Sequence, residues 1–360
     1  MPGRSPLEVL QEQIEGHPQR RLIQRAVVAL LEVARQEREM PEWHLIAGCL
    51  ADISEALAVF RPSRSVRKIT VFGSARTPPE DPCHRLAREF AALAVEAGFD
   101  LMTGAGGGVM EAANSGAGSE HSIGLNVDLP FEQHANPTVR ASGSRLLHFR
   151  YFFTRKLFFL RESDALVVLP GGYGTLDELF EALTLIQTGR TPPIPLVLLA
   201  PEADGYWVHL RRALEAALFG RGLVSAEDGA LVQQASDAAG ALAVISRFYR
   251  VFHSALPGED RIELLLNSAF PRDLLPALNR RFGDLLSDGA IQAGEGCDAS
   301  GILRPSLRFR FDHRKVGRLY QLIDHLNGLD LPGAPSLPQP SLRCPPSGCV
   351  DPLAATTRPA

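Results

Sequence analysis

The residues best placed to do chemistry form a glycine turn followed by an acid, the segment Pro170–Glu178 with the sequence PGGYGTLDE. The turn follows an apolar run at 165–169 that predicts a buried parallel strand, and it precedes an apolar pattern that predicts a helix. Glycines let a ligand come close to the backbone, and free N–H groups at a helix N-terminus favour a phosphate. A carboxylate at Glu178 would repel that phosphate, so the acid indicates chemistry beside the phosphate rather than phosphate binding alone.

Glu178 also has a purely structural interpretation. Thr175 and Glu178 have the S/T-x-x-E spacing of a helix capping box, in which the acid only closes the first turn of the helix. The glycines alone also fit a tight strand-to-helix turn that holds no ligand. The motif by itself leaves the capping and the catalytic role of Glu178 equally open.

A second glycine-rich turn, residues 104–108, also follows a predicted strand and precedes a predicted helix. The dinucleotide fingerprint G-x-G-x-x-G fails there, because Val109 and Glu111 stand where the two possible registers need a small residue. NAD binding is therefore disfavoured, and the sequence has no P-loop motif. Two glycine turns on neighbouring strands favour a single mononucleotide.

Two adjacent cations, Arg155 and Lys156, lie in a predicted helix that is otherwise mostly apolar and leads into the strand at 165–169. Buried cations need partners, although long basic side chains often reach the surface instead. The functional interpretation is that they meet a phosphate or a carboxylate in the cleft next to Pro170–Glu178.

Five strand-like runs alternate with helical patterns and would position these residues. They lie at 69–73, 99–103, 122–127, 165–169 and 195–199. This alternation predicts an α/β protein with a Rossmann-like, doubly wound parallel sheet in a three-layer α/β/α arrangement. Ligands bind such sheets beyond the carboxyl ends of the strands, where Ser74 and the turn at 104–108 lie.

The chain is expected to contain four segments. These are a helical N-terminal segment at 1–65, the Rossmann-like domain at 66–250, a small α+β module at 251–328 and a proline-rich tail at 329–360 without packed structure. In the module, the patterns at 261–266, 271–286, 290–293, 307–311 and 316–326 predict the order β-α-β-β-α, which suggests a ferredoxin-like fold.

Composition limits the classes of partner. The 360 residues carry a net charge of −4, which gives no support for a nucleic-acid surface. The five cysteines are scattered and odd in number, which favours a reducing compartment, and the ten histidines show no metal-ligand spacing. The N-terminus lacks the apolar core of a signal peptide, and no apolar run reaches membrane-spanning length. We therefore expect a cytoplasmic protein without membrane, nucleic-acid or metal partners.

Taken together, the motifs resemble those of the LOG (LONELY GUY) phosphoribohydrolase family, many of whose members carry the older label "lysine decarboxylase". Pro170–Glu178 fits P-G-G-x-G-T-x-x-E, and Arg155 and Lys156 fit the R-K pair that precedes it. Further matches lie at 71–76, 103–114, 124–126 and 130–133, and the resemblance covers about 68–249. Phe158 and Phe159 depart from many members, which carry smaller residues or methionine there, and this departure would alter the base pocket.

The resemblance implies hydrolysis of the N-glycosidic bond of a nucleoside 5′-monophosphate, AMP or an N6-modified AMP, to a free base and ribose 5-phosphate. It implies a homodimer or larger homo-oligomer and no cofactor. Arg155 and Glu178 would be catalytic. The expected substrate contacts are Ser74, Gly104, Gly107, Glu132, Arg155, Lys156, Gly171, Gly172, Tyr173, Gly174, Thr175 and Thr184.

The chemistry of the residues agrees with this expectation. Breaking a glycosidic bond builds positive charge on the ribose, and a carboxylate beside the sugar stabilises that charge and can activate water. Decarboxylation on pyridoxal phosphate is disfavoured, because it needs a Schiff-base lysine and only Lys156 is near a suitable site. The alternative is a nucleotide-binding or sensing protein on the same fold, with weak or no turnover.

Overall fold

The computed structural model describes residues 6–37, 39–127, 134–258, 260–298 and 300–331. By their contacts the residues divide into two compact units, one ending at Ala51 and one beginning at Asp52. The first unit is helical and holds α1 (Pro6–Glu15), α2 (Arg20–Gln36) and the first half of α3 (Met40–Phe60).

The second unit is built on a parallel seven-stranded sheet in the order β4-β3-β2-β1-β5-β6-β7. Its strands are β1 (Lys68–Phe72), β2 (Asp100–Thr103), β3 (Ser122–Val127), β4 (Leu146–Phe149), β5 (Ala165–Val168), β6 (Leu196–Leu199) and β7 (Val232–Ala235). The five inner strands are the five predicted ones, because strands buried on both faces read as continuous apolar runs. The edge strands β4 and β7 were not predicted, since each has only four residues and neither is buried throughout.

Helices cover both faces of this sheet. They are α4 (Pro82–Glu96), α5 (Val109–Ala117), α6 (Pro137–Ala141), α7 (Phe152–Glu162), α8 (Tyr173–Gln187), α9 (Tyr206–Ala217) and α10 (Ala238–Phe248). On one face, Val71 packs with α4, α5 and α10; on the other, Phe72 packs with α7, α8 and α9. Neighbouring residues of a strand point to opposite faces, so the two cores follow directly from the strand period of two. The predicted Rossmann-like α/β/α class is confirmed.

The C-terminal module is an antiparallel sheet in the order β10-β11-β9-β8 with two helices. Its elements are β8 (Phe252–Pro257), β9 (Arg261–Leu266), α11 (Leu275–Phe282), β10 (Leu286–Cys297), β11 (Leu303–Phe311) and α12 (Val316–Gly328). The predicted α+β class and the order of the five predicted elements are confirmed, but the ferredoxin-like fold is wrong, since the sheet order is β10-β11-β9-β8 and one strand was missed. An additional strand, β8, precedes β9, and its mixed polar and apolar sequence gives no clear strand pattern.

Helix α3 corrects one expectation. It has 21 residues and contains an 18-residue window with a mean hydropathy of 1.4, so by length and composition it is long and apolar enough to cross a membrane. Its last turns nevertheless lie in the protein core, where Ala56 and Phe60 are buried together with the charged side chain of Asp52. The predicted proline-rich tail lies outside the described residues from position 332 onward, and the division into four segments stays a prediction.

Candidate active site

Three loops meet at the carboxyl edge of the parallel sheet, after β1, β2 and β5. The Ser74 amide, after β1, donates to the Pro170 carbonyl after β5 at 3.2 Å. The Val109 amide, at the end of the β2 loop, donates to the Ser74 carbonyl at 3.0 Å. The two glycine turns and the Ser74 loop therefore form one continuous surface where ligands of such sheets bind.

The β2 loop is held in a demanding conformation. Ala105 has a φ of 64°, which L-residues with a side chain rarely adopt. Its amide donates to the Thr103 hydroxyl at 3.0 Å, and the Asn136 side chain donates to the carbonyls of Ala105 and Gly106 at 3.2 and 3.0 Å. Asn136 was not foreseen from the sequence, because it lies 30 residues away along the chain. Side-chain hydrogen bonds thus fix the loop before any ligand arrives.

Glycines in this loop allow close approaches. A Cβ on Gly108, at φ +61°, would lie 2.4 Å from the Ser74 carbonyl oxygen, so no side chain fits there. A Cβ on Gly104 would lie 3.5 Å from Nη1 of Arg155, and one on Gly107 would lie 3.4 Å from the Ala75 carbonyl oxygen. Gly104 therefore lies beside Arg155, as the sequence analysis expected of two residues in one site.

The turn after β5 leads directly into α8. A Cβ on Gly171 would lie 2.2 Å from Oγ1 of Thr175, whereas one on Gly172 or Gly174 would meet open space. The Tyr206 hydroxyl donates to the Gly171 carbonyl at 2.6 Å and fixes the turn from α9. Tyr173, the first residue of α8, is 94% exposed and available to a ligand or partner.

The predicted capping box is wrong. The N-cap of α8 is Gly172, and Thr175 is a buried residue in the first turn of the helix rather than its cap. Glu178 is then the sixth residue of the helix, too far along to close the first turn. The structural interpretation of Glu178 loses its basis.

Arg155 of α7 and Glu178 of α8 form a buried ion pair. Nη2 of Arg155 lies 3.2 Å from Oε1 of Glu178, and their side chains are only 11% and 16% exposed. The Arg155 guanidinium also lies over the rings of Phe152 and Phe159, at 5.1 and 5.5 Å from their centroids. Its buried Nε has no hydrogen-bond partner among the described residues. The site thus contains a buried donor available to an acceptor on a ligand.

Burial shifts both members of this pair towards neutrality. It raises the pKa of Glu178 to about 7, even though the positive charges of Arg155 and Lys156 lower it. It lowers the pKa of Arg155, against the opposing effect of the Glu178 and Asp177 charges. A carboxyl group whose pKa lies near neutrality is suited to proton transfer.

Lys156 faces a different part of α8. Its Nζ lies 2.7 Å from Asp177 and 2.6 Å from Glu181, so it meets carboxylates, one of the two partners that the sequence left open. The sequence analysis did not single out Asp177 and Glu181. Their i, i+4 spacing places them on the same face of a helix, where one lysine can contact both.

The remaining predicted contacts are less central. Thr184 is exposed two turns further along α8, and its hydroxyl donates to the Phe180 carbonyl at 2.7 Å. Glu132 lies outside the described residues. Phe158 is fully buried between the rings of Phe60 and Phe149, so it belongs to the core rather than to a pocket wall.

Comparison with known proteins identifies the family. A family profile described as "possible lysine decarboxylase" matches residues 108–245. The probable cytokinin riboside 5′-monophosphate phosphoribohydrolase LOGL5 of Oryza sativa subsp. japonica is 32% identical over 196 residues, which cover 52% of this chain and 75% of that protein. The chain belongs to the LOG family. The resemblance of Pro170–Glu178 to the family motif is thereby confirmed.

A second curated relative agrees with this membership. The LOG family member LOG2 of Arabidopsis thaliana, a cytokinin riboside 5′-monophosphate phosphoribohydrolase, is 27% identical and covers 51% of this chain and 84% of its own. Among solved structures, the molybdenum cofactor carrier protein of Chlamydomonas reinhardtii is 24% identical, with a TM-score of 0.36, over 49% of this chain and 94% of that protein.

Proposed function

We propose that the protein hydrolyses the N-glycosidic bond of a purine nucleoside 5′-monophosphate, AMP or an N6-modified AMP, to the free base and ribose 5-phosphate. The observation that carries the proposal is the buried Arg155–Glu178 pair beside the glycine turns after β2 and β5. The names of the curated LOG relatives describe the same class of reaction.

The proposed mechanism assigns substrate binding and cleavage of the glycosidic bond to different residues. The amides at the N-terminus of α8, from Gly172 to Gly174, bind the 5′-phosphate with the positive end of the helix dipole. The buried Nε of Arg155 donates to a substrate oxygen. In this proposal the ribose lies next to Glu178, between the two glycine turns.

Glu178 acts on the sugar in its ionised form. As the bond from C1′ to the base breaks, its electron pair leaves with the base, and the carboxylate stabilises the positive charge that grows on the ribose. A water molecule then adds to C1′ and passes one proton to Glu178. The departing base nitrogen takes up a proton from solvent, and Glu178 releases its proton to solvent, which completes the hydrolysis without a cofactor or a metal ion.

The contacts of Lys156 argue against decarboxylation. Burial lowers its pKa, but the hydrogen bonds to Asp177 and Glu181 outweigh this effect, so its pKa is raised overall. A Schiff base requires a neutral amine, and two carboxylates within 2.7 Å keep this one protonated.

Incubation of the purified protein with AMP, GMP and isopentenyladenosine monophosphate, followed by chromatography of the free base, tests the proposal. We expect base release that disappears in Glu178→Ala. Nucleotide binding by calorimetry without base release would instead favour the alternative, a nucleotide-binding or sensing protein. We further expect the protein to act in the cytoplasm as a homo-oligomer, without nucleic-acid or membrane partners.

A further inference from the structure

The second half of α3 lies along α7, the helix that carries Arg155. Three residues of α3 spaced four apart, Asp52, Ala56 and Phe60, are at most 2% exposed and form one face of the helix. The ring of Phe60 stacks on that of Phe158 in α7, with centroids 6.1 Å apart and planes at 6°. This contact fixes the C-terminal half of α7 from a segment that precedes the parallel sheet.

Asp52 fixes the other end of α7. Its carboxylate accepts hydrogen bonds from the Arg150 amide at 3.1 Å, from Nη1 of Arg150 at 2.8 Å and from the Thr154 hydroxyl at 2.8 Å. The Asp52 side chain is fully buried, so water does not screen these contacts.

The N-terminus of α7 needs such an acceptor. Tyr151 occupies its N-cap, a position where Ser, Thr, Asp or Asn normally supplies a side-chain oxygen. Asp52 brings a carboxylate from another helix to this end of α7, where it accepts from the Arg150 amide just before the cap and from the Thr154 hydroxyl in the first turn. The dipole of α7 favours a negative charge at this end. Arg155 follows Thr154 directly, so the orientation of the first turn sets the direction of the Arg155 side chain.

We propose that Asp52 is a positioning residue for the active site: by anchoring Arg150 and Thr154 at the start of α7 from α3, it holds Arg155 in reach of Glu178. The inference rests on the proposed function for its catalytic consequence. Asp52 precedes both the profile match at 108–245 and the region of motif resemblance. The proposal therefore gives a residue outside the family motifs a role in the site, through its contacts with α7.

The first test compares Asp52→Ala and the milder Thr154→Val with Glu55→Gln, an exposed acid on the same helix. A displaced Arg155 is expected to lower kcat/KM for AMP by about 10- to 100-fold in Asp52→Ala, with a smaller loss in Thr154→Val. Glu55→Gln is expected to match the wild type. Wild-type kcat/KM in both Asp52→Ala and Thr154→Val would overturn the proposal.

A double-mutant cycle separates positioning from mere stability. In an Arg155→Ala background, Asp52→Ala is expected to leave kcat/KM unchanged while still lowering Tm, because no arginine remains to be positioned. In the wild-type background, Asp52→Ala is also expected to move the acidic limb of the pH–rate profile to higher pH, because the Arg155 charge lowers the pKa of Glu178. Equal losses in both backgrounds with an unmoved limb would show a structural role only.

Amide hydrogen exchange distinguishes failure of this inference from failure of the proposed function. Asp52→Ala is expected to speed exchange in the first turns of α7 at least ten-fold relative to Glu55→Gln, whether or not the protein turns over a nucleotide. If no nucleotide is hydrolysed, the proposed function fails, but the exchange rates still test whether Asp52 anchors the start of α7. Unchanged exchange in α7 would overturn it.

Discussion

Glu178 and Arg155 lie in an environment that opposes the charge of each. Burial raises the pKa of Glu178 to about 7 and lowers that of Arg155, although the two groups are 3.2 Å apart. Glu178 is not a helix cap, and its charged partner is the buried Arg155 guanidinium beside the glycine turns. A buried acid with a raised pKa and no capping role is characteristic of a catalytic group.

Replacing Glu178 by Gln tests this role with little change in shape. We expect Glu178→Gln to lower kcat for AMP hydrolysis by about 100-fold or more, since the amide neither accepts the proton from water nor stabilises the ribose charge. Steady-state assays of base release measure the loss, with Glu215→Gln, an exposed acid of α9, as the control. Comparable kcat in the two variants would contradict the assignment.

The raised pKa also predicts how rate and stability depend on pH. The rate is expected to rise as Glu178 ionises, with its midpoint near pH 7. Between the ordinary value of 4.5 and about 7 the folded protein keeps a proton that the unfolded chain has lost, so the contribution of Glu178 to stability falls as pH rises through this window. The Tm of Glu178→Gln minus that of the wild type should therefore grow from pH 4.5 to 7. A pH-independent difference would be inconsistent with the raised pKa.

The sequence identified the residues of the site but not their contacts. Arg155, Lys156 and Glu178 were singled out because charged residues next to apolar or glycine-rich patterns are conspicuous in a sequence. Lys156 turned out to contact Asp177 and Glu181, and Asn136 to brace the β2 loop, because such partners depend on the packing of separate elements. Sequence patterns do not encode those distances.

The N-terminus of α8 depends on one glycine far more than on its neighbours. Gly171→Ala places a methyl group against Thr175, which is buried, and is expected to cost about 1–3 kcal/mol of the free energy of unfolding. Gly174→Ala meets open space inside a helix and is expected to stabilise by about 0.5–1 kcal/mol. Urea denaturation followed by circular dichroism measures both. A Gly171→Ala variant as stable as the wild type would show that the turn is more adaptable than its geometry indicates.

Among the secondary-structure elements, prediction succeeded where burial is complete and failed where it is partial. The inner strands β1, β2, β3, β5 and β6 are buried on both faces and were all predicted, within one residue at either end. The edge strands and β8 were not, since none of them is buried throughout and their sequences lack a continuous apolar run. The cap of α8 was misassigned because the N-cap is Gly172, which has no side chain to signal the start of a helix, rather than Thr175.

The whole molecule presents an apolar surface on α7, close to the candidate site. Phe153 and Leu157, one turn apart on α7, are 57% and 50% exposed. We expect a second copy to cover this surface, because contiguous exposed apolar residues usually mark an interface.

Phe153→Asp combined with Leu157→Asp tests that expectation. The double variant is expected to be monomeric by light scattering at micromolar concentration, while the wild type is a dimer or larger. The mass of Val208→Asp, which changes an exposed apolar residue on α9, should match that of the wild type. A monomeric wild type would contradict the expected homo-oligomer.

The hydrogen bond from Tyr206 to Gly171 has an optical consequence. The Tyr206 ring lies edge-on against Trp207, 4.8 Å between centroids, and Trp207 is buried. The chain has two tryptophans, so Trp43→Phe leaves Trp207 as the single indole fluorophore, coupled through one side chain to the glycine turn after β5. Its emission should change in a stopped-flow mixing experiment when a nucleotide reaches that turn, so that arrival of the ligand can be followed in real time without a label.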